Sequence, residues 1–169
     1  MHLQVVSRKT REYFLMEGFQ KSLNPEINIY NQAQLELERP MIKASRIHKK
    51  TNNEIGAVFQ LDGELKGQVI CLVDLYDKSI NSGKYPYFQS LFIESMNIFL
   101  GQLLTNLENE TDIMTVLSAP KIIGRTDQFH NIKNDQDLRL SLGYRLITNE
   151  DSYNCRIYIL ADKIGTREI

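Results

Sequence analysis

Three polar residues, Ser90, Glu94 and Asn97, follow one another at helical spacing within an otherwise apolar stretch. Because an α-helix turns by about 100° per residue, these side chains and Gly101 fall on one face of a helix. A carboxylate can pair with a cation, and an amide can hold water because it both donates and accepts hydrogen bonds. Glu94 and Asn97 are one turn apart, so both can reach one site. The pattern therefore predicts a narrow polar stripe along one face of a helix.

The stripe belongs to a segment, residues 85–108, that is predicted to form one long helix. Pro86 suits its first turn, where the N–H that proline lacks is not needed. The other side of the helix is apolar and is predicted to face the core; its residues are Phe92, Ile93, Met96, Phe99, Leu100, Leu103, Leu104 and Leu107.

Two interpretations of the stripe are open: a solvated helix face, or a surface that another backbone or a partner contacts. The solvated face is the simpler interpretation, and it is what most polar stripes are. Against it, Ile93 and Ile98 flank the stripe closely, and a mid-helix glycine such as Gly101 costs roughly 1 kcal/mol relative to alanine. That cost indicates that another backbone or a partner approaches the helix there.

Length and charge limit the classes of function. The chain has 169 residues, of which 20 are basic and 21 acidic, for a net charge of -1. We expect a single domain over residues 1–169, with no overall field to attract nucleic acid. No apolar run reaches the roughly 18 residues that a transmembrane helix needs. The sequence thus predicts a cytoplasmic protein without membrane insertion.

No cluster in the sequence indicates a metal or a cofactor. Cys71 and Cys155 lie in separate apolar strand-like runs, which predicts buried reduced thiols. His2, His48 and His130 are far apart and lack zinc-binding spacing. We therefore expect neither a metal site nor a cofactor held by this chain.

The remaining elements predict an α+β fold: a mostly antiparallel sheet with two long helices packed on one face. A first helix is predicted over 8–22, and one short strand before Pro40. Residues 41–74 are predicted to form a three-stranded antiparallel meander, and 113–124 a strand broken at Pro120. A closing hairpin is predicted over 138–162.

In this context, the Ser90–Glu94–Asn97 spacing resembles the signature of the CheC/CheX/FliY family of chemotaxis phosphatases. Gly101 matches the family's small residue four positions after the asparagine. The resemblance covers roughly residues 40–162 in element order and is strongest over 55–123, from the hairpin before the helix to the proline-containing strand after it. The chain is most similar to the CheX branch, because Tyr13, Glu17 and Gln20 on the first helix give at best a degenerate second motif.

The resemblance implies a function. Members act on the aspartyl phosphate of a CheY-like receiver domain, the response-regulator module of two-component signalling, and the receiver holds the Mg²⁺. On this chain, Glu94 would dock on the receiver's active-site lysine and Asn97 would orient the attacking water. Ser90 and Gly101 would support binding. A homodimer is also implied.

One departure leaves an alternative open. Met96 stands where the family usually has a small residue, often glycine, before the asparagine. The alternative is a non-catalytic CheC-like module that docks a receiver or another signalling protein through the same helix. The sequence names neither the cognate receiver nor the pathway.

Overall fold

A computed structural model describes residues 8–75, 83–128 and 136–162 of the chain. Within these residues, two helices accompany one eight-stranded sheet in which every pairing is antiparallel. The helices are α1 (Arg8–Ser22) and α2 (Tyr85–Thr111). The strands are β1 (Glu26–Ile29), β2 (Ala33–Lys43), β3 (Glu54–Gly63), β4 (Gly67–Asp74), β5 (Thr115–Leu117), β6 (Lys121–Ile123), β7 (Leu138–Thr148) and β8 (Ser152–Ala161).

The strands lie in the order β1-β2-β7-β8-β4-β3-β5, and β6 also pairs with β3. Side chains alternate between the two faces of each strand. On β4, Cys71 and Val73 belong to the main hydrophobic cluster, whereas Ile70 and Leu72 belong to a second, smaller one. Buried residues of both helices, such as Phe19 and Phe99, are part of the main cluster. The face of the sheet in contact with this cluster is called the inner face below, and the opposite face the outer face.

Several predictions made from local patterns are confirmed. The first helix covers the expected 8–22, and the long helix begins at Tyr85 as predicted but continues three residues beyond 108. Residues 118–120 separate β5 from β6, which places the break at Pro120. The closing hairpin is β7–β8, and Cys71 and Cys155 are buried free thiols. The α+β class with an antiparallel sheet is also confirmed.

The predicted meander over 41–74 is wrong. Residues 41–43 end β2, which pairs with β1 and β7, so only the β3–β4 hairpin of that prediction exists. The prediction of a single short strand before Pro40 is also wrong. Both β1 and β2 begin before Pro40, and Pro40 itself lies inside β2. The pairing of β2 with β7 shifts register on either side of Arg39. The second of these shifts accommodates Pro40, which has no N–H to donate to the neighbouring strand.

Other expectations fall outside the described residues in whole or in part. The sequence also predicts a short helical turn and a loop over 75–86 and a polar loop over 124–137, and residues 76–82 and 129–135 of these segments lie outside the described residues. His2 and His130 also lie outside, while His48 is exposed.

Candidate functional site

The four residues of the predicted stripe share one exposed face of α2. Ser90, Glu94, Asn97 and Gly101 are all solvent-exposed. With a rise of 1.5 Å per residue, Glu94 and Asn97 are separated by about 4.5 Å along the helix axis. This is close enough for a carboxylate and an amide to contact one small group on a partner. We call these four residues the polar stripe.

Neither functional group of the stripe is occupied by an internal contact. Within the described residues, Glu94 and Asn97 form no hydrogen bond and no ion pair through their side chains. Carboxylate and amide are therefore available to a partner without first breaking an internal bond, which would cost free energy on binding.

The side chain of Met96 points away from the stripe. It is fully buried in the main cluster, as are Phe92 and Phe99. Neighbouring residues of a helix are about 100° apart, so the bulk of Met96 fills the core while Asn97 faces solvent. A larger residue before the asparagine does not obstruct access to it.

No contact within the described residues explains why position 101 is a glycine. A Cβ placed on Gly101 meets nothing within 4 Å among its neighbours. Gly18 on α1 is different, because a Cβ there would lie 2.6 Å from Thr111 Cγ2 and 3.2 Å from Leu107 Cδ1 of α2. Gly18 therefore permits the close crossing of the two helices, whereas close approach of another part of the described chain does not account for Gly101.

Contacts on both sides of α2 fix the orientation of the stripe. The ring of Phe99 lies 4.7 Å from that of Tyr144 on β7, and the Tyr144 hydroxyl donates to the carbonyl of Asn24 at 2.6 Å. Burial raises the pKa of Tyr144, which keeps this donor protonated. Near the C-terminus of α2, the Asn106 side-chain amide donates to the carbonyl of Ser22 at 3.1 Å. The helix is thus tied to the C-terminus of α1 as well as to the sheet.

Sequence reasoning did not include one exposed aromatic residue beside the stripe. Tyr87 is 60% exposed and lies one turn before Ser90. Phe88, next to it, is buried against Tyr153 with ring centroids 4.4 Å apart. Its position three residues before Ser90 was the sequence signal that could have identified Tyr87 as a neighbour of the stripe. Tyrosine is enriched at the energetic centres of protein interfaces, so Tyr87 extends the candidate docking surface.

The three residues of the degenerate second motif on the first helix do not match the motif of α2. Tyr13 is 70% exposed where a serine or aspartate would be needed. Glu17 is paired with Lys21 at 3.1 Å, and the Gln20 amide donates to the carbonyl of Met41 at 3.3 Å. Glu17 and Gln20 are thus engaged in contacts within the chain, and the candidate site is the polar stripe on α2.

The stripe lies on an open helix face. Two depressions in the described surface, one on the outer face of the sheet and one beside the β1–β2 turn, have no α2 residue in their walls. Among the described residues, no group of three or more His, Cys, Asp or Glu side chains could hold a metal ion. No helix in the same residues is long and apolar enough to cross a membrane.

Comparison with solved structures finds chemotaxis proteins. CheX from Borrelia burgdorferi, crystallised in complex with CheY, BeF3 and Mg²⁺, is 12% identical with a TM-score of 0.49, and the match covers 96% of this chain and 100% of that one. FliY from Thermotoga maritima is 10% identical with a TM-score of 0.48, covering 93% and 92%. CheX from Vibrio vulnificus is 13% identical with a TM-score of 0.49, covering 87% and 95%.

These neighbours bear the names of the family that the Ser90–Glu94–Asn97 pattern resembles. No protein-family model and no curated protein sequence matches this chain.

Proposed function

We propose that this chain is a phosphatase of the CheC/CheX/FliY family, most similar to CheX, that accelerates hydrolysis of the aspartyl phosphate of a CheY-like receiver domain. The observation that supports the proposal is the polar stripe itself. The residues that match the family motif, Ser90, Glu94 and Asn97, are exposed together on one helix face. A buried Glu94 or Asn97 would have been incompatible with this mechanism.

Each residue has a separate role in the proposed reaction. Glu94 pairs with the active-site lysine of the receiver and sets the orientation of the complex. Asn97 enters the receiver's site and holds a water molecule in line with the phosphorus. The Mg²⁺ belongs to the receiver, where it neutralises charge on the phosphoryl oxygens. Ser90 and Gly101 contact the receiver beside these two side chains.

This division of roles suits the chemistry of phosphoryl transfer. Its transition state is loose, so a catalyst contributes mainly by positioning the nucleophile and complementing charge. An amide can hold water through both donation and acceptance, and it does not repel the phosphoryl oxygens as a carboxylate would. Asn97 is therefore suited to the inner position and Glu94 to the docking contact.

The test is a time course of phosphate release from a panel of phosphorylated receiver domains with Mg²⁺, with and without the purified protein. We expect faster release from at least one receiver. Glu94→Ala should weaken binding to that receiver, because the lysine loses its partner. If every receiver decays at its intrinsic rate in the presence of the protein, the proposed enzymatic function is wrong.

Two exposed residues near the end of α2 provide matched controls. Glu108→Ala removes a carboxylate and Asn109→Ala an amide from the same helix, more than three turns from Glu94 and Asn97. Both controls should retain the wild-type rate. Equal losses of receiver binding in Glu94→Ala and Glu108→Ala would indicate a general effect of charge on the helix and not a specific contact.

A second candidate function uses the same surface without catalysis. The open helix face would also suit a module that docks a receiver or another signalling protein. A pull-down that retains a phosphorylated receiver without hastening its decay would select this function. The homodimer expected from the resemblance is part of either proposal, and light scattering on the purified protein tests it.

A further inference from the structure

The outer face of the sheet, opposite the side packed by α2, contains a basic depression of about 560 Å³. Five basic side chains line it: Arg39, Lys43, Arg46, His48 and Arg156. Two carboxylates also line it, Glu38 and Asp74. In a chain of net charge -1, this is a local excess of positive charge, and the volume lies within the roughly 300–1,000 Å³ of ligand sites.

Strand register explains why a depression exists there. On three adjacent strands, Arg39 of β2 lies opposite Gly143 of β7, which lies opposite Arg156 of β8. Two arginines thus flank a residue without a side chain, on strands separated by about 10 Å. The floor is low at Gly143 and at Ser141, two residues before it on the same face, while the arginines form the sides.

Both arginines are held in place by the fold. The stem of Arg39 lies against Gly143, because a Cβ there would meet Arg39 Cβ, Cγ and Cδ at 3.2–3.4 Å. Arg156 donates to Glu54 Oε2 at 2.7 Å and to the Tyr158 hydroxyl at 3.1 Å. These two bonds leave three of the five guanidinium N–H groups of Arg156 for other acceptors.

Three of the basic side chains have no internal partner. Arg39, Arg46 and His48 form no ion pair or side-chain hydrogen bond within the described residues, and all three are exposed. Of the two carboxylates, Glu38 is paired with Arg145 at 3.0 Å, outside the depression. Lys43 lies 3.9 Å from Glu12 and Arg156 lies 2.7 Å from Glu54, so the positive charges without a partner on this surface are those of Arg39 and Arg46.

We propose that this depression binds a small organic phosphate of nucleotide size. A carboxylate can be satisfied by one bidentate arginine, whereas a phosphate presents oxygens to several guanidinium groups at once. The volume exceeds that of a lone phosphate ion, so the ligand carries an organic part that rests on the floor and on the exposed side chain of Ile42. The site is on the opposite face of the sheet from the polar stripe and does not depend on the proposed phosphatase function.

The test is calorimetric titration of the full chain with ATP, inorganic tripolyphosphate and inorganic phosphate in 150 mM salt. We expect saturable one-to-one binding, with ATP tighter than tripolyphosphate, which carries at least as much negative charge but lacks the organic part. Arg39→Gln and Arg46→Gln should each weaken ATP binding about tenfold, because a charge-assisted hydrogen bond is lost. Arg139→Gln is the matched control: it lies on the same face of β7 outside the depression and should bind as the wild type does.

Three results would overturn the proposal. These are the absence of saturable binding, equal weakening by Arg39→Gln and Arg139→Gln, or binding that depends only on the charge of the probe. The last two would indicate a diffuse surface field, such as one that attracts an acidic protein. Circular dichroism of each variant verifies folding, so a loss of binding cannot arise from a loss of structure.

Discussion

Replacing Gly101 with alanine should stabilise the protein. A methyl group at this position meets no atom within 4 Å, so the substitution introduces no clash. Alanine is favoured over glycine in a helix interior by roughly 0.5–1 kcal/mol. For a protein of this size, that gain corresponds to a rise in Tm of about 1–4 °C.

Gly18→Ala is the matched comparison. It has the same propensity gain, but its methyl group would lie 2.6 Å from Thr111 Cγ2. That side chain is fixed by a hydrogen bond from Thr111 Oγ1 to the carbonyl of Leu107 at 2.6 Å. Overpacking of this kind costs about 1–3 kcal/mol, so the net effect should be destabilising by up to about 2.5 kcal/mol.

Urea unfolding followed by circular dichroism measures both variants. A fall in the free energy of unfolding for Gly101→Ala would refute the assignment of an open helix face. Equal stabilisation by the two substitutions would refute the close crossing of α1 and α2 at Gly18. If the polar stripe binds a receiver as proposed, Gly101→Ala should also weaken that binding although it stabilises the fold.

Two further predictions concern groups that hold the helix and the core. Tyr144→Phe removes the hydrogen bond to the Asn24 carbonyl and should lower the free energy of unfolding by about 1 kcal/mol, measured by the same urea titration; an unchanged midpoint would show that the bond contributes nothing. Burial raises the pKa of Cys155 from its ordinary 9.0 to about 12 and that of Cys71 well above 9.0. Because the folded state then retains protons that the unfolded state releases, the contribution of these thiols to stability should be constant below about pH 9 and fall as the pH rises towards 12. Tm measured from pH 7 to pH 11 tests this, and a Tm that does not fall above pH 9 would contradict it.

The two helices were predictable because their signal is local. The 3.6-residue period of α2 defines which residues are buried, and the same period places Ser90, Glu94 and Asn97 on the opposite, exposed side. That period also places Met96 in the core, so the apparent obstacle beside Asn97 could have been dismissed from spacing alone.

The sheet was less predictable because its pairings are not local. Alternation identified residues 41–43 as a strand, but their partner on β7 is about a hundred residues further along the chain. Nothing in the local pattern distinguishes that partner from the nearer β3. The basic depression depends on the same register, since it exists only because Gly143 separates Arg39 from Arg156, and it was therefore not visible in the sequence.

The measurement that tests the central claim most directly compares wild type and Asn97→Ala with one phosphorylated receiver and Mg²⁺. Single-turnover decay at saturating concentration gives the rate, and a titration gives the affinity. The proposal predicts that Asn97→Ala lowers the rate on the order of 10²-fold, as expected for loss of a positioning group, while affinity stays nearly unchanged. A variant that binds and dephosphorylates the receiver as the wild type does would contradict the assignment of Asn97 as the residue that orients the attacking water.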